Sequence, residues 1–234
     1  VLFRSDIWRM IVETFKMIGD LFANLHIYML NRIHKTSLKY RRVVHNNYRK
    51  FVMLVLVSTI PTGLIGIIGK GLVSAAGQTL LIPGICLLMT GVLLLIADTT
   101  REGHKLPRQV TYKNGLLIGA AQGLATLPGL SRSGTTIAVC LLLGMDRRFA
   151  VKYSFILSIP AVLGAALLEV KDVIAEPVKA SQIGVYAIGM VFAAVVGYIC
   201  IKTMLIVVKN KKFKYFSYYC FIVGAVAIAG HFLL

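Results

Sequence analysis

Negatively charged residues are scarce in this chain of 234 residues. It has 9 aspartates and glutamates against 26 lysines and arginines, and charged residues of both signs make up only 15%. Soluble domains carry about 25% charged residues. Together with a mean hydropathy of +0.78, this composition excludes a soluble globular protein and leaves few carboxylates from which a general base could be drawn.

Cysteine is also rare, and its placement argues against a metal centre. The four cysteines lie singly in apolar segments, without the short spacing that metal ligands show, at Cys86, Cys140, Cys200 and Cys220. We interpret them as packing residues. The sequence therefore predicts no metal site among its own residues.

Long hydrophobic runs are abundant, and five of them predict helices that cross a membrane. Each has at least 19 residues, close to the roughly 20 that a hydrocarbon core of about 30 Å requires. They lie at residues 51–69, 79–97, 149–170, 183–208 and 215–234. The predicted fold class is an all-α polytopic membrane protein.

Basic residues cluster between these runs, with ten before residue 51, four at 101–113 and four at 209–214. An excess of lysine and arginine is typical of cytoplasmic loops, and no nucleic-acid-binding module surrounds the clusters. We therefore predict the membrane, and not a nucleic acid, as the partner. Residues 1–50 form a cytoplasmic basic region, in which the spacing of Trp8, Ile11 and Phe15 predicts an amphipathic helix at the interface. Residues 51–234 form the membrane domain.

The apolar segment at residues 115–145 is too short to cross a membrane twice. Its halves, 115–127 and 134–145, have 13 and 12 residues, which at 1.5 Å per residue reach only about 20 Å. Pro128 and Gly129 interrupt the helical pattern between them. The pattern predicts a re-entrant helical hairpin, whose irregular tip at mid-membrane depth is tolerated only where it lines a cavity.

The tip carries the string LPGLSRSGTT at residues 127–136, which places an arginine and four hydroxyls in apolar surroundings. An arginine at this depth costs about 2.5 to 3.5 kcal/mol and marks a functional site. A helix starting at Ser131 would aim its free N–H groups at the tip, and the guanidinium of Arg132 matches phosphate oxygens. The motif predicts an anion site, most plausibly for phosphate. The alternative is an ordinary loop in which Arg132 extends to the interface and Ser or Thr caps a helix.

Several motifs together resemble one known family. They are Gln122-Gly123-Leu124-Ala125-Thr126, the string at 127–136, Gly144-Met145, and Ser154-Phe155-Ile156-Leu157-Ser158-Ile159-Pro160. They are similar to the undecaprenyl-diphosphate phosphatase family of bacterial plasma membranes, over essentially the whole chain and least over residues 1–50. The resemblance implies hydrolysis of a C55 polyprenyl diphosphate to its monophosphate, which recycles the cell-wall lipid carrier and gives bacitracin resistance. It also implies two inverted repeats, each with a re-entrant hairpin, around a pocket open to the outer face.

The same resemblance implies roles for individual residues. Arg132 would bind the diphosphate as a catalytic residue, with Ser131 and Ser133 as catalytic hydroxyl partners. The implied substrate-binding residues are Gly129, Gly134, Thr135, Thr136, Gln122 and Ser154. For Ser154 and Ser158, a hydroxyl bonded back to its own helix is an open alternative.

One part of the family pattern is missing from these 234 residues. The resemblance implies a second motif, a glutamate-rich run followed by Pro-Val-Ser-Ser-x-Gly-His, and no equivalent is present. Eight of the nine acidic residues are predicted in loops or at helix ends, and only Glu169 approaches a span. We therefore expect an N-terminally truncated chain that is inactive by itself, with ligands for a divalent cation such as Mg²⁺ or Ca²⁺ in the missing part. A lipid-phosphate transporter or flippase remains an alternative, and no oligomeric state is predicted.

Overall fold

The computed structural model describes residues 3–35, 37–101, 103–175 and 180–233, with the side chains of 171–183 and Lys209 excepted. The described part is built from nine α-helices and a short 3-10 turn at Pro107–Gln109. In chain order the helices are α1 (Arg4–Ile33), α2 (Asn47–Ile68), α3 (Lys70–Ala76), α4 (Leu81–Thr99), α5 (Tyr112–Leu124), α6 (Arg132–Leu142), α7 (Arg147–Ala175), α8 (Ala180–Lys209) and α9 (Phe213–Leu233).

Five of these helices are long and apolar enough to cross a membrane, namely α2, α4, α7, α8 and α9. They coincide with the five predicted runs, so the predicted all-α fold class and number of spans are confirmed. The first span begins at Asn47, four residues before the predicted start. Asn46 fixes that start because its side chain accepts a hydrogen bond from the Arg49 N–H at 2.7 Å.

The predicted short helix pair is present as α5 and α6, which have 13 and 11 residues. The loops at the open end of the pair are joined, because Lys105, in the loop before α5, donates its N–H to Gly144 O at 3.1 Å and accepts that of Asp146 at 3.2 Å. The tip of the pair reaches Thr90, the tenth of the 19 residues of α4. The pair is therefore a hairpin that extends about halfway along a span. Its placement in a membrane and the inverted repeat remain predictions.

The basic loops lie at the open end of this hairpin, away from its tip. Lys50 at the start of α2 lies 3.4 Å from the ring centroid of Tyr112 at the start of α5. Asp98 near the end of α4 accepts the N–H of Phe213, the first residue of α9, at 3.2 Å. Four helix ends and the basic residues beside them thus share one face of the bundle, as the predicted charge distribution requires. Its cytoplasmic orientation remains a prediction.

The two arginines that follow the hairpin have different surroundings. Arg148 is exposed, whereas the Arg147 side chain is buried at 7% exposure. Its Nη2 donates to Thr100 O at 3.1 Å and to Ala97 O at 3.4 Å. A cation at a helix C-terminus is favourable because the last carbonyls lack partners. Arg147 therefore caps α4, and the exposed charge is that of Arg148.

Helix α5 packs closely against α2 through a row of glycines. Ser58 Oγ donates to Gly115 O at 2.6 Å, and one turn further Thr62 Oγ1 donates to Gly119 O at 2.8 Å. A Cβ atom placed on Gly119 would lie 2.0 Å from Ser58 O. Small residues allow this approach in membrane helices, and Gly123 continues the row beside Ile65 of α2.

We predict that Gly119→Ala lowers the unfolding free energy by about 1 to 3 kcal/mol, because the methyl group forces the two helix backbones apart. The matched control is Gly63→Ala in α2, where no described atom lies within 4 Å of the added Cβ. That variant should be neutral or slightly stabilising. Thermal unfolding in detergent measures both, and equal melting temperatures would contradict the packing described.

A buried ion cluster attaches α1 to the start of α2. The Arg49 side chain is 5% exposed, and its guanidinium donates to Glu13 Oε2 at 2.7 Å, to an Asp20 carboxylate oxygen, and to Val43 O at 2.7 Å. Both carboxylates lie within α1, so the prediction that they occupy loops or helix ends is wrong. Glu102 and Glu176, two other acidic residues, lie outside the described part of the chain.

The opposite face of α1 is apolar and exposed, with Trp8 at 67% and Phe15 at 71% exposure. The helix therefore presents carboxylates to the protein and aromatic residues to the outside. This is the amphipathic helix that the sequence predicts, and its position at a membrane interface remains a prediction.

Attachment of α1 should depend on pH. The hydrogen bond from Arg49 is the main factor that lowers the pKa of both Glu13 and Asp20 below the ordinary values of 4.5 and 3.8. Because the folded-state pKa values are the lower ones, the stabilisation is present above the ordinary carboxyl range and is lost as the pH falls through the lowered values. We predict that the protection factors of the α1 amides, measured against the intrinsic exchange rate at each pH, fall below about pH 4.

The comparison variant is Arg49→Met, in which α1 should exchange rapidly even at neutral pH. Arg42→Met, at an exposed arginine of the preceding loop, should behave like the unsubstituted protein. Protection of α1 that stays the same from pH 7 to pH 3 would refute the role given to the cluster.

Candidate anion site at the hairpin tip

The tip of the hairpin is a tight turn formed by Leu127-Pro128-Gly129-Leu130. Leu130 N donates to Leu127 O at 3.1 Å, and Gly129 has φ +90°. Proline at the second position and glycine with positive φ at the third are the signature of a type II turn. A Cβ atom on Gly129 would also lie 2.2 Å from Pro83 O of α4. Gly129 is therefore required both for the turn and for close contact with α4.

Helix α6 begins directly after this turn, with Ser131 as its N-cap. Ser131 Oγ accepts the N–H of Gly134 at 3.2 Å, and Ser131 O accepts that of Thr135 at 2.8 Å. Capping by Ser131 was part of the ordinary-loop alternative, and that part is confirmed. The N–H groups of Arg132 and Ser133 have no acceptor among the described residues, so they remain available to a ligand.

Two cavities meet at this helix end. The smaller one measures about 320 Å³ and is lined by Arg132, Ser133, Ser154, Phe155, Ser158 and Ile201. The larger one measures about 580 Å³, lies between α4, α8, α9 and the tip, and is mostly apolar. Ser133, Phe155 and Ile201 line both cavities. The site thus joins a polar compartment to an apolar one.

Arg132 supplies the positive charge of the polar compartment. Its side chain is exposed to the cavity and makes no hydrogen bond or ion pair with any residue that the structure describes. A guanidinium next to free N–H groups at a helix N-terminus is an arrangement that binds anions. The structure therefore places Arg132, Ser131 and Ser133 together, as the sequence predicts.

The hydroxyls of the site differ in their hydrogen bonds. Thr136 Oγ1 lies 2.9 Å from Arg132 O and 3.2 Å from Ser133 O, which can only accept. Thr136 Oγ1 is also hydrogen-bonded to Ser154 Oγ, and either hydroxyl can be the donor of that bond. Ser131 and Ser133, by contrast, keep hydroxyl protons that no described acceptor uses.

The two serines of α7 differ. The sequence left open whether each is bonded back to its own helix or faces the pocket. Ser158 Oγ donates to Phe155 O of its own helix at 2.7 Å, which is the back-bonded alternative. Ser154 instead links α7 to α6, and it is only 3% exposed.

Four residues predicted to bind substrate lie behind the cavity wall, and one of them is Thr136, which is 1% exposed. Gln122 is 1% exposed and its Nε2 donates to Leu157 O at 3.4 Å, whereas its Oε1 has no partner among the described residues. Thr135 is buried with an unpartnered Oγ1, and Gly134 packs against Ser131 and Leu94. None of them lines either cavity. In this structure they support the site and do not reach its surface.

The sequence analysis missed Thr90 of α4. This residue is 1% exposed, and its Oγ1 accepts the N–H of Ser131 at 3.1 Å. A lone threonine in an apolar run is a weak signal, because threonine is common at membrane helix interfaces.

The described lining does not fit a divalent cation. No carboxylate or histidine lines either cavity, and no group of three metal-ligating side chains occurs among the described residues. Mg²⁺ and Ca²⁺ take oxygen ligands that are mostly carboxylates, and the charge of Arg132 would repel them. A cation would therefore need ligands other than these residues.

Fold and site define an all-α, multi-pass membrane protein with a candidate anion site beside an apolar cavity. Residues 1–226 match the model of the family described as bacitracin resistance protein BacA, and the chain belongs to that family. The family predicted from the motifs is thereby confirmed.

Several curated relatives share the name undecaprenyl-diphosphatase. The relative from Alkaliphilus metalliredigens is 40% identical over 185 residues, which is 79% of this chain and 67% of the relative. The relative from Methanosphaera stadtmanae is 39% identical over 180 residues, 77% of this chain and 64% of the relative. The relative from Methanothermobacter thermautotrophicus is 41% identical over 181 residues, 75% of this chain and 98% of the relative. The chain thus spans about two thirds of the length of the first two relatives.

We predict that inorganic diphosphate binds this site and raises the melting temperature of the detergent-purified protein. Arg132→Ala should weaken that binding about 10- to 100-fold, because it removes a charge-assisted hydrogen-bonding partner worth about 1.5 to 3 kcal/mol. Arg148→Ala, at an exposed arginine of the basic end, is the control and should bind normally. Equal binding by both variants would place the anion elsewhere.

Proposed function

We propose that the protein hydrolyses undecaprenyl diphosphate to undecaprenyl phosphate and phosphate. The observation that carries this proposal is the junction of the two cavities. Arg132 and Ser133, the first two residues of α6, line the polar compartment, and Ser133 also lines the apolar one. Such a site suits an amphiphile with an anionic head and a hydrocarbon tail, as a polyprenyl diphosphate is. The undecaprenyl-diphosphatase relatives support the same substrate.

The reaction transfers the terminal phosphoryl group to water. The oxygen of water forms a bond to the terminal phosphorus, the bond from that phosphorus to the bridging oxygen breaks, and the bridging oxygen stays with the lipid phosphate. Negative charge accumulates on the bridging and terminal oxygens. Donors that are already in position stabilise such charge without reorganisation. Arg132, the two free N–H groups of α6 and the hydroxyls of Ser131 and Ser133 fill that role.

Ser154 plays a different part in this proposal. Its hydroxyl is hydrogen-bonded to Thr136, and no described base lies beside it to make it a nucleophile. It contributes a polar group to the lining beside Arg132. The proton acceptor for the attacking water is not among the described lining residues, and a divalent cation with ligands elsewhere is part of the proposal.

The setting we infer is the bacterial plasma membrane, with the site opening to the outer face. The basic loops lie at the open end of the hairpin. Arg132 lies at the opposite end, the tip, which is halfway along α4. If the basic end is cytoplasmic, as the positive-inside rule indicates, the cavities lie toward the other face. Hydrolysis there would return the cell-wall lipid carrier to use and give resistance to bacitracin.

We predict that Arg132→Ala lowers polyprenyl diphosphate hydrolysis by the complete gene product about 100-fold or more, because one preorganised donor is worth about 3 to 4 kcal/mol. Arg132→Lys should recover only part of this loss, since an ammonium group lacks the planar fork of donors. The measurement is phosphate release in detergent, with Arg148→Ala as the control. Normal release by Arg132→Ala would refute the catalytic role of this arginine.

A lipid-phosphate transporter is the second candidate, and the broken helix pair favours it. Helices that end halfway along a span, with free N–H groups at the break, also bind anionic substrates in transporters. The two functions differ in their products. Transfer of labelled lipid across liposomes without phosphate release would favour the transporter, whereas phosphate release in detergent requires the hydrolase.

A further inference from the structure

Thr90 connects α4 to both sides of the hairpin tip. Its Oγ1 lies 3.0 Å from Cys86 O in its own helix, 3.1 Å from Gly129 O in the turn, and 3.1 Å from Ser131 N at the start of α6. The residue is 1% exposed. One hydroxyl therefore contacts the last residues before the anion-binding end of α6.

The chemistry of these three contacts requires a hydroxyl. Two partners are carbonyl oxygens that accept the single proton of Thr90, and the third is an N–H group that donates to an Oγ1 lone pair. A valine of the same shape would leave the Ser131 N–H and the Gly129 carbonyl without partners. Buried groups of this kind are costly to leave unpaired, and Thr90 is only 1% exposed.

The position of α6 depends on this contact. Ser131 is the N-cap, so fixing its N–H also fixes the direction of the next two N–H groups and the root of the Arg132 side chain. Gly129 meets α4 nearby at Pro83, but that is a steric contact without direction. Only the Thr90 hydroxyl gives this end of the hairpin a directional bond to α4 among the described contacts.

We propose that Thr90 is a positioning residue, which holds the anion-binding end of α6 in register with the cavity that Arg132 lines. Its donor and acceptor capacity is used by the protein itself, so it acts through Ser131 and not on the phosphate. This inference rests on the proposed function, and it deepens it by assigning α4 a part in the site.

The experiment compares three variants of the complete gene product. Thr90→Val removes the hydroxyl, and Thr90→Ser restores it. The control is Thr62→Val in α2, because Thr62 Oγ1 makes the same kind of contact, 2.9 Å from Ser58 O in its own helix and 2.8 Å from Gly119 O in α5. Thr62 is buried like Thr90 but lines neither cavity. Loss of stability alone should therefore affect both valine variants similarly.

Two measurements are made on each variant. Hydrogen exchange over residues 129–135 should accelerate about tenfold in Thr90→Val, and remain normal in Thr90→Ser and Thr62→Val. The kcat for polyprenyl diphosphate should fall about tenfold in Thr90→Val with little change in KM, since the misplaced donors act mainly on charge that develops in the reaction. Thr90→Ser should recover most of the kcat.

Normal exchange and kcat in Thr90→Val would overturn the proposal, and so would equal losses of kcat in Thr90→Val and Thr62→Val. Failure of the proposed function gives a different result. In that case the unsubstituted protein releases no phosphate, whereas exchange over residues 129–135 still reports whether Thr90 holds the tip.

Discussion

The interruption between α5 and α6 is the constraint on which the site depends. A helix that stops halfway along a span exposes N–H and C=O groups where water is scarce, and each must find a partner in the protein or in a ligand. Most do so here, through the Leu127 to Leu130 turn, the Ser131 cap and the Thr90 hydroxyl. Those that remain, the N–H groups of Arg132 and Ser133, belong to residues that line the polar cavity. The candidate anion site thus contains the backbone N–H groups that the interruption leaves without a partner in the protein.

Local sequence patterns predicted the elements of this arrangement well. Apolar runs located the five spans because length and hydropathy suffice for that purpose. The pairing of proline with glycine located the turn, and the short segments on either side predicted a hairpin. The resemblance of the motifs identified the family, and with it the roles expected of Arg132 and two serines. The residues alone left two interpretations of this string, an anion site and an ordinary loop.

Contacts between distant segments could not be predicted from the sequence. Thr90 and Ser131 are 41 residues apart, and Glu13 and Arg49 are 36 apart, so neither pair leaves a periodic trace. Burial also changed the role expected of Gln122, whose side chain points to α7 and not to the cavity. Of the adjacent arginines 147 and 148, only Arg147 caps α4, and nothing in the sequence distinguishes them. Which face of a short helix meets a ligand depends on its neighbours, and these are set by the packing of α2, α4 and α7.

The hydrogen bond between Ser154 and Thr136 joins α7 to the start of α6. The Thr90 hydroxyl joins α4 to Ser131, the residue just before that helix. The end of α6 that carries Arg132 is therefore held between two spans. The position of the guanidinium relative to the cavity thus depends on the distance between α4 and α7.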